Sequence, residues 1–127
     1  MSPALVPGPL RFVAAPPGLE PIVDFTLAAV DATPGLFSLT AANGAARLYV
    51  LDAALHLPQY TPQLPGTVSA DLGTNGESSA VLVVVNPGVQ STVNLAAPIV
   101  VNAATGTCVQ VILEGTDWPL RQPLVPA

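Results

Sequence analysis

The chain has 127 residues and a mass of 12.8 kDa, enough for one ordinary domain with little left over. Half of the residues are apolar and 9% are charged, which excludes a disordered chain, since disorder needs low hydrophobicity and high charge. Eight carboxylates against three arginines and no lysine give a net charge of −5. Such a surface repels phosphate backbones and argues against direct RNA or DNA binding, while a basic protein partner is compatible with it.

One cysteine, Cys108, rules out an intrachain disulfide and a cysteine-based zinc site, and fits a reducing compartment. Met1–Pro16 is broken by prolines, and its arginine follows the apolar residues instead of preceding them, unlike a signal peptide. No apolar run approaches the ~18 residues of a membrane span, the longest being Ala80–Val85. The expected location is cytoplasmic.

Fifteen prolines and ten glycines leave little room for long helices. Leu10–Ala14 reads as a first strand, stopped by Pro16-Pro17-Gly18. Ile22–Val30 follows, with Val23, Phe25 and Leu27 on one face and Asp24 and Thr26 on the other. After the Pro34-Gly35 turn, Leu36–Ala41 and Arg47–Asp52 flank Asn43-Gly44, a strong hairpin signal because both residues tolerate positive φ. Ala53–Gly66 reads as a loop with one helical turn around Leu55, Thr67–Leu72 as a short strand or helical turn, and Gly73–Ser79 as a polar connector. Ala80–Asn86 is almost all Val and Leu, as expected of a strand covered on both faces. Ser91–Asn102 and Thr107–Glu114 pair across Ala103–Gly106, and the tail Trp118–Ala127 lies along the surface or rim. The sum is an all-β fold, a small closed or partly closed antiparallel barrel of seven to eight short strands, with residues 1–127 forming a single domain. Closure is favoured because few charges are present to guard open sheet edges.

Reactive chemistry finds little support. His56, the only histidine, has no ligand or base partner at motif spacing. Cys108 sits in an apolar strand, where a thiol is ordinarily inert. No serine lies in a Gly-x-Ser-x-Gly frame, and Gly73, Gly76 and Gly88 do not make a phosphate loop. The expectation is no catalytic residue, no metal and no cofactor.

The segment Val93-Asn94-Leu95-Ala96-Ala97-Pro98-Ile99-Val100-Val101-Asn102 resembles the signature of the FliW family of flagellar assembly factors. It is followed by a Gly-containing turn, by Gln110 in an apolar strand, and by Arg121 and Leu124 in an Arg-x-Pro-Leu tail. Leu10–Glu20, Arg47–Asp52 and Pro58-Gln59-Tyr60 also resemble family features, whereas Leu19 and Ala53 stand where the family tends to have an aromatic residue and a proline. The resemblance implies a FliW-like barrel that is not an enzyme. It further implies partner switching between flagellin, bound near its helical C-terminal end, and the small RNA-binding regulator CsrA, which is blocked from repressing flagellin mRNA while held. It implies no membrane partner, and a monomer is the expected state.

On that reading the partner-binding candidates are Asn94, Pro98, Ile99 and Val100 on the signature strand, with Asp52 and Tyr60 from the neighbouring loop. Pro98 would end normal pairing and leave adjacent backbone and apolar side chains open to a partner helix or strand. The competing structural reading puts Leu95, Ile99 and Val101 inside the barrel and the asparagines on turns. Two other functions compete with this reading. A carbohydrate- or small-ligand-binding domain would use Trp118, Tyr49 and Tyr60 as stacking surfaces, against which the 5% aromatic content counts. A small hydrolase would rest on His56 and a carboxylate.

Overall fold

A computed structural model describes residues 7–16, 19–30, 35–44, 46–57, 60, 79–86, 91–113, 118 and 122–123. The elements are β1 (Gly8–Phe12), β2 (Asp24–Ala29), β3 (Leu36–Ala41), β4 (Arg47–Asp52), α1 (Ala53–His56), β5 (Ser79–Asn86), β6 (Thr92–Asn102), β7 (Thr107–Gln110) and β8 (Gln122–Pro123). The readings of Thr67–Leu72 and Gly73–Ser78, and the tail residues Arg121 and Leu124, lie outside the described residues.

The strands follow the order β5-β4-β3-β2-β1-β7-β6-β8, and a β5–β6 pairing closes the first seven into a ring with β8 appended. Six seams are antiparallel and one, β1–β7, is parallel. The expected closed, mostly antiparallel barrel is present, and arithmetic gives the reason for its one parallel seam. Strand direction cannot alternate all the way round a ring of seven, so one seam must join like directions. β6 is long enough to serve three neighbours: Thr92 and Val93 meet β8, Ile99–Asn102 meet β7, and both ends meet β5.

Alternation along β2 predicts its faces. Phe25 and Leu27 are buried while Asp24 and Thr26 are exposed. The barrel interior is filled by Leu10, Phe12, Phe25, Leu27, Phe37, Leu39, Ala41, Val50, Leu82, Ile99, Val101 and Cys108, with the Phe12 and Phe25 rings edge to face at 5.2 Å. A second cluster covers the outer side of β4, β5 and β6: Leu51, Ala53, Val83, Val85, Val93 and Leu95, packed by Tyr49, Leu57, Tyr60 and Trp118. This explains the uninterrupted Val/Leu run of β5, which is covered from inside by the barrel core and from outside by this cluster.

β1 begins at Gly8, two residues before the expected start at Leu10. Pro9 is tolerated inside it because Arg11 and Val13 donate to Gly106 and Cys108 of the β7 side, so the missing Pro9 N–H would point that way, where the seam has not yet begun. Gly106 makes the seam possible. It has φ +79°, its carbonyl accepts from the Arg11 N–H at 2.8 Å, and a Cβ there would lie 2.9 Å from the Pro9 carbonyl oxygen. Gly44 in the β3–β4 turn has φ +75° but open space around it. Alanine at Gly44 is therefore expected to cost only the left-handed backbone penalty of about 1–2 kcal/mol. Alanine at Gly106 adds a backbone clash and is expected to cost roughly 1–2 kcal/mol more. Urea midpoints of the two variants check this, and equal losses would show that β1 yields freely.

Candidate partner-binding site at the β6 bulge

The six candidates lie at the end of β4, just after α1 and along β6, and their surroundings differ sharply. From Leu82↔Ile99 to Val84↔Asn94, β5 advances by two residues and β6 by five. Leu95–Pro98 therefore have no register partner on β5 and form a wide bulge, at the place where a proline without an N–H disturbs a ladder least.

The carbonyls of the bulge find donors elsewhere. Val111 N–H donates to the Pro98 carbonyl and Leu113 N–H to that of Ala96, both at 2.8 Å, extending the β7 side past its last strand residue. The Tyr60 hydroxyl donates to the Leu95 carbonyl at 2.5 Å, and the Gln110 side-chain amide donates to the Ala97 carbonyl at 3.2 Å. All four carbonyls from Leu95 to Pro98 are satisfied, two of them by side chains. Asn94 folds its Oδ1 back to accept from the Ala96 N–H at 3.0 Å, and Asn102 does the same for Ala104 at 3.0 Å, opening the β6–β7 turn. Both are asparagine turns of the kind those residues imply in sequence.

Asp52 ends β4 and caps α1, its Oδ1 accepting from the Ala54 N–H at 3.0 Å. This single helical turn, expected around Leu55, aims the chain back over the outer cluster so that Tyr60 reaches β6. The Tyr60 ring meets Trp118 edge to face, with centroids 4.7 Å apart and planes at 82°. Trp118 in turn packs against both the outer cluster and a third group, Val100, Val111 and Leu113. Tyr60, Trp118, Asp52 and Asn94 are half-buried.

Pro98, Ile99 and Val100 are buried, each with less than 2% of its surface accessible. The expectation that Pro98 leaves neighbouring apolar side chains open is thereby corrected. Ile99 points into the barrel, while Val100 is covered on the outside by Val111, Leu113 and Trp118. The bulge turns carbonyls outward to new donors and keeps its apolar groups covered. Of the six candidates, Asp52, Tyr60 and Asn94 keep part of their surface exposed.

Trp118, expected in a tail lying along the surface or rim, packs on Tyr60 and the outer clusters, and Gln110, expected in an apolar strand, pairs with Ile99 and holds the Ala97 carbonyl. Pro98 inside an apolar run signals a bulge, but nothing local shows that residues 35 positions before and 13 after would supply its donors.

His56 is exposed on α1. Among the described residues no group of three His, Cys, Asp or Glu side chains could hold a metal ion. The Arg11–Asp24 pair, 3.6 Å apart, is an exposed surface pair. The proposed stacking aromatics face protein groups, Tyr60 and Trp118 each other and Tyr49 the Arg47 guanidinium at 5.2 Å, so no open platform supports the ligand-binding alternative.

Burial pushes the Cys108 thiol up to about 12. At pH 8 the thiolate fraction is then roughly one part in ten thousand. A thiol-reactive dye is expected to label the native protein negligibly and to label it fully once denaturant is added; rapid labelling of the native form would place Cys108 at the surface.

Burial likewise pushes the Tyr60 phenol up to about 12. Both groups hold their protons more tightly folded than unfolded, so their contribution is complete below the ordinary values of 9.0 for the thiol and 10.0 for the phenol and is lost as pH rises toward about 12. Urea midpoints are expected to fall steadily from pH 9 to 12, and the fall is expected to be shallower in Tyr60→Phe. A midpoint unchanged at pH 11 would contradict the burial of both.

Taken together, the fold and this site define a small closed mixed β-barrel whose outer face is organised by one long bulged strand. The family model of FliW proteins matches residues 7–124. The flagellar assembly factor FliW of Syntrophus aciditrophicus (strain SB) is 37% identical over 97 residues, a match covering 72% of this chain and 61% of that protein, so the chain spans less than two thirds of that relative's length. The flagellar assembly factor FliW of Geobacillus kaustophilus (strain HTA426) is 28% identical over 121 residues, 92% of this chain and 84% of that protein. A crystal structure of the flagellar assembly factor FliW superposes with a TM-score of 0.82 at 28% identity, covering 93% of this chain and 86% of that one. The chain belongs to the FliW family of flagellar assembly factors.

Proposed function

We propose that this protein is a non-catalytic, cytoplasmic partner switch that binds flagellin and, in its absence, holds the RNA-binding regulator CsrA. Membership of the FliW family along residues 7–124 is the observation that carries the reading. The physical character of the chain supports it. A net charge of −5 suits a basic RNA-binding partner and disfavours competition for the RNA itself. No helix among the described residues is long and apolar enough to cross a membrane.

The proposed contact surface is built on Asp52, Tyr60 and Asn94, with Pro98, Ile99 and Val100 as the buried layer that sets its shape. If flagellin and CsrA exclude one another there, each lowers the apparent affinity of the other by the same factor, as linkage requires. The test is direct. Purified protein is titrated with flagellin and with CsrA, separately and in competition. Saturable binding of both, with flagellin displacing CsrA, is expected. Binding of neither overturns the proposal; binding of flagellin alone reduces it to a flagellin-binding role.

A further inference from the structure

The bulge of β6 is held from two sides by side chains that belong to other parts of the chain. Tyr60, carried from α1, donates to the Leu95 carbonyl, and Gln110, at the end of β7, donates to the Ala97 carbonyl. Leu95 and Ala97 alternate with Ala96 and Pro98, whose carbonyls turn to the Leu113 and Val111 N–H groups on the β7 side. In a regular strand the intervening carbonyls would face the other neighbour, here β5, where the register shift has removed their partners. Tyr60 and Gln110 stand in for that lost ladder. Between them the Asn94 side chain ties the Ala96 N–H, so three side-chain hydrogen bonds fall within four consecutive residues.

We infer that Tyr60 and Gln110 are coupled positioning residues that clasp the bulge in one conformation and so set the surface offered to the flagellar partner. A bulge of this width has no ladder of its own to select a single backbone path. Without the clasps, two carbonyls would have to turn to water, and the half-buried Asn94 and Ala96 would move with them. The residues share a segment, so loss of one clasp is expected to weaken the other. The functional half of this inference rests on the flagellin-binding reading above; the conformational half stands on the geometry alone.

The experiment uses the full chain with Tyr60→Phe, which keeps the ring against Trp118 and removes only the donor, Gln110→Met, which keeps length without a donor, and the double variant. Leu27→Val, on the far side of the barrel, is the control for general destabilisation. Amide hydrogen exchange is followed residue by residue, and binding of purified flagellin is titrated. In each single variant the Ala96 and Ala97 amides are expected to exchange about threefold to tenfold faster, while the β2 amides of Phe25 and Leu27 change little. The double variant is expected to gain less than the product of the two, and flagellin affinity to fall in step with the bulge amides. The control is expected to leave both readouts at wild-type values. Uniform acceleration of all amides, or strictly multiplicative effects, would overturn the clasp. Faster bulge exchange with unaltered flagellin affinity would overturn its positioning role while leaving flagellin binding itself intact. If the wild-type chain ignores flagellin, the proposed function falls instead, and the exchange pattern alone still decides the clasp.

Discussion

Ile99→Asp is expected to leave the chain without a cooperative thermal transition. Ile99 is wholly inaccessible and lies among the aliphatic and aromatic side chains of the barrel interior, including Leu82, Val101 and Cys108. A carboxylate there would lose its hydration with no cation to meet it, since Arg11 and Arg47, the described arginines, are exposed. An unpaired buried charge costs several kcal/mol even after relaxation, and the lost apolar burial adds about 2–3 kcal/mol. Against a total stability of about 5–15 kcal/mol for a domain of this size, the fold is not expected to survive. Ile99→Val, which removes one methylene, is expected to cost only about 0.5–1.5 kcal/mol and to melt cooperatively. Circular dichroism melts of the pair check this. A cooperative melt of Ile99→Asp within a few degrees of wild type would show that the site is wetter than its burial implies. Loss of flagellin binding in this variant would therefore report unfolding, and it would not locate the interface. The same holds in milder form for Val100, which is covered by Val111, Leu113 and Trp118.

Tyr60→Ala is the substitution expected to separate binding from folding. Tyr60 lies outside the barrel interior and is half-buried, so its loss removes one hydrogen bond to Leu95, the edge-to-face contact with Trp118 and part of the outer cluster. The expected stability loss is about 2 kcal/mol, and the barrel remains closed. For binding the expectation is larger. A half-exposed tyrosine backed by a rigid aromatic partner has the character of an interface anchor, and truncating such an anchor commonly costs 2 kcal/mol or more, about thirtyfold in affinity. Asp52→Ala, which removes the α1 cap at about 1 kcal/mol, is expected to loosen the approach of Tyr60 and to weaken binding less. Isothermal titration of flagellin and CsrA into the folded variants reads these losses. Wild-type affinity of Tyr60→Ala for both partners would remove this loop from the interface.

Much of the architecture was legible from local chemistry. The prolines and glycines punctuate the chain where the strands stop, Asn43-Gly44 marks the β3–β4 hairpin, and the alternation of Phe25 and Leu27 with Asp24 and Thr26 gives the faces of β2. The near-continuous Val/Leu composition of β5 announced cover on two sides. The signature strand pointed to the family that the comparisons bear out.

Sequence by itself thus determined the strand-rich character, the order of the elements, the apolar core composition and the acidic, cysteine-poor surface chemistry, because each depends on a residue and its near neighbours. Tertiary structure alone decided three matters. It chose β1–β7 as the parallel seam, admitted by the missing side chain of Gly106. It buried Pro98, Ile99 and Val100, for a strand apolar on both faces has no alternation to say which side is inside and which is covered from without. It also brought Tyr60, Gln110 and Trp118 to one bulge. Those meetings join residues far apart in the chain, and only ring closure brings their backbones within hydrogen-bond reach.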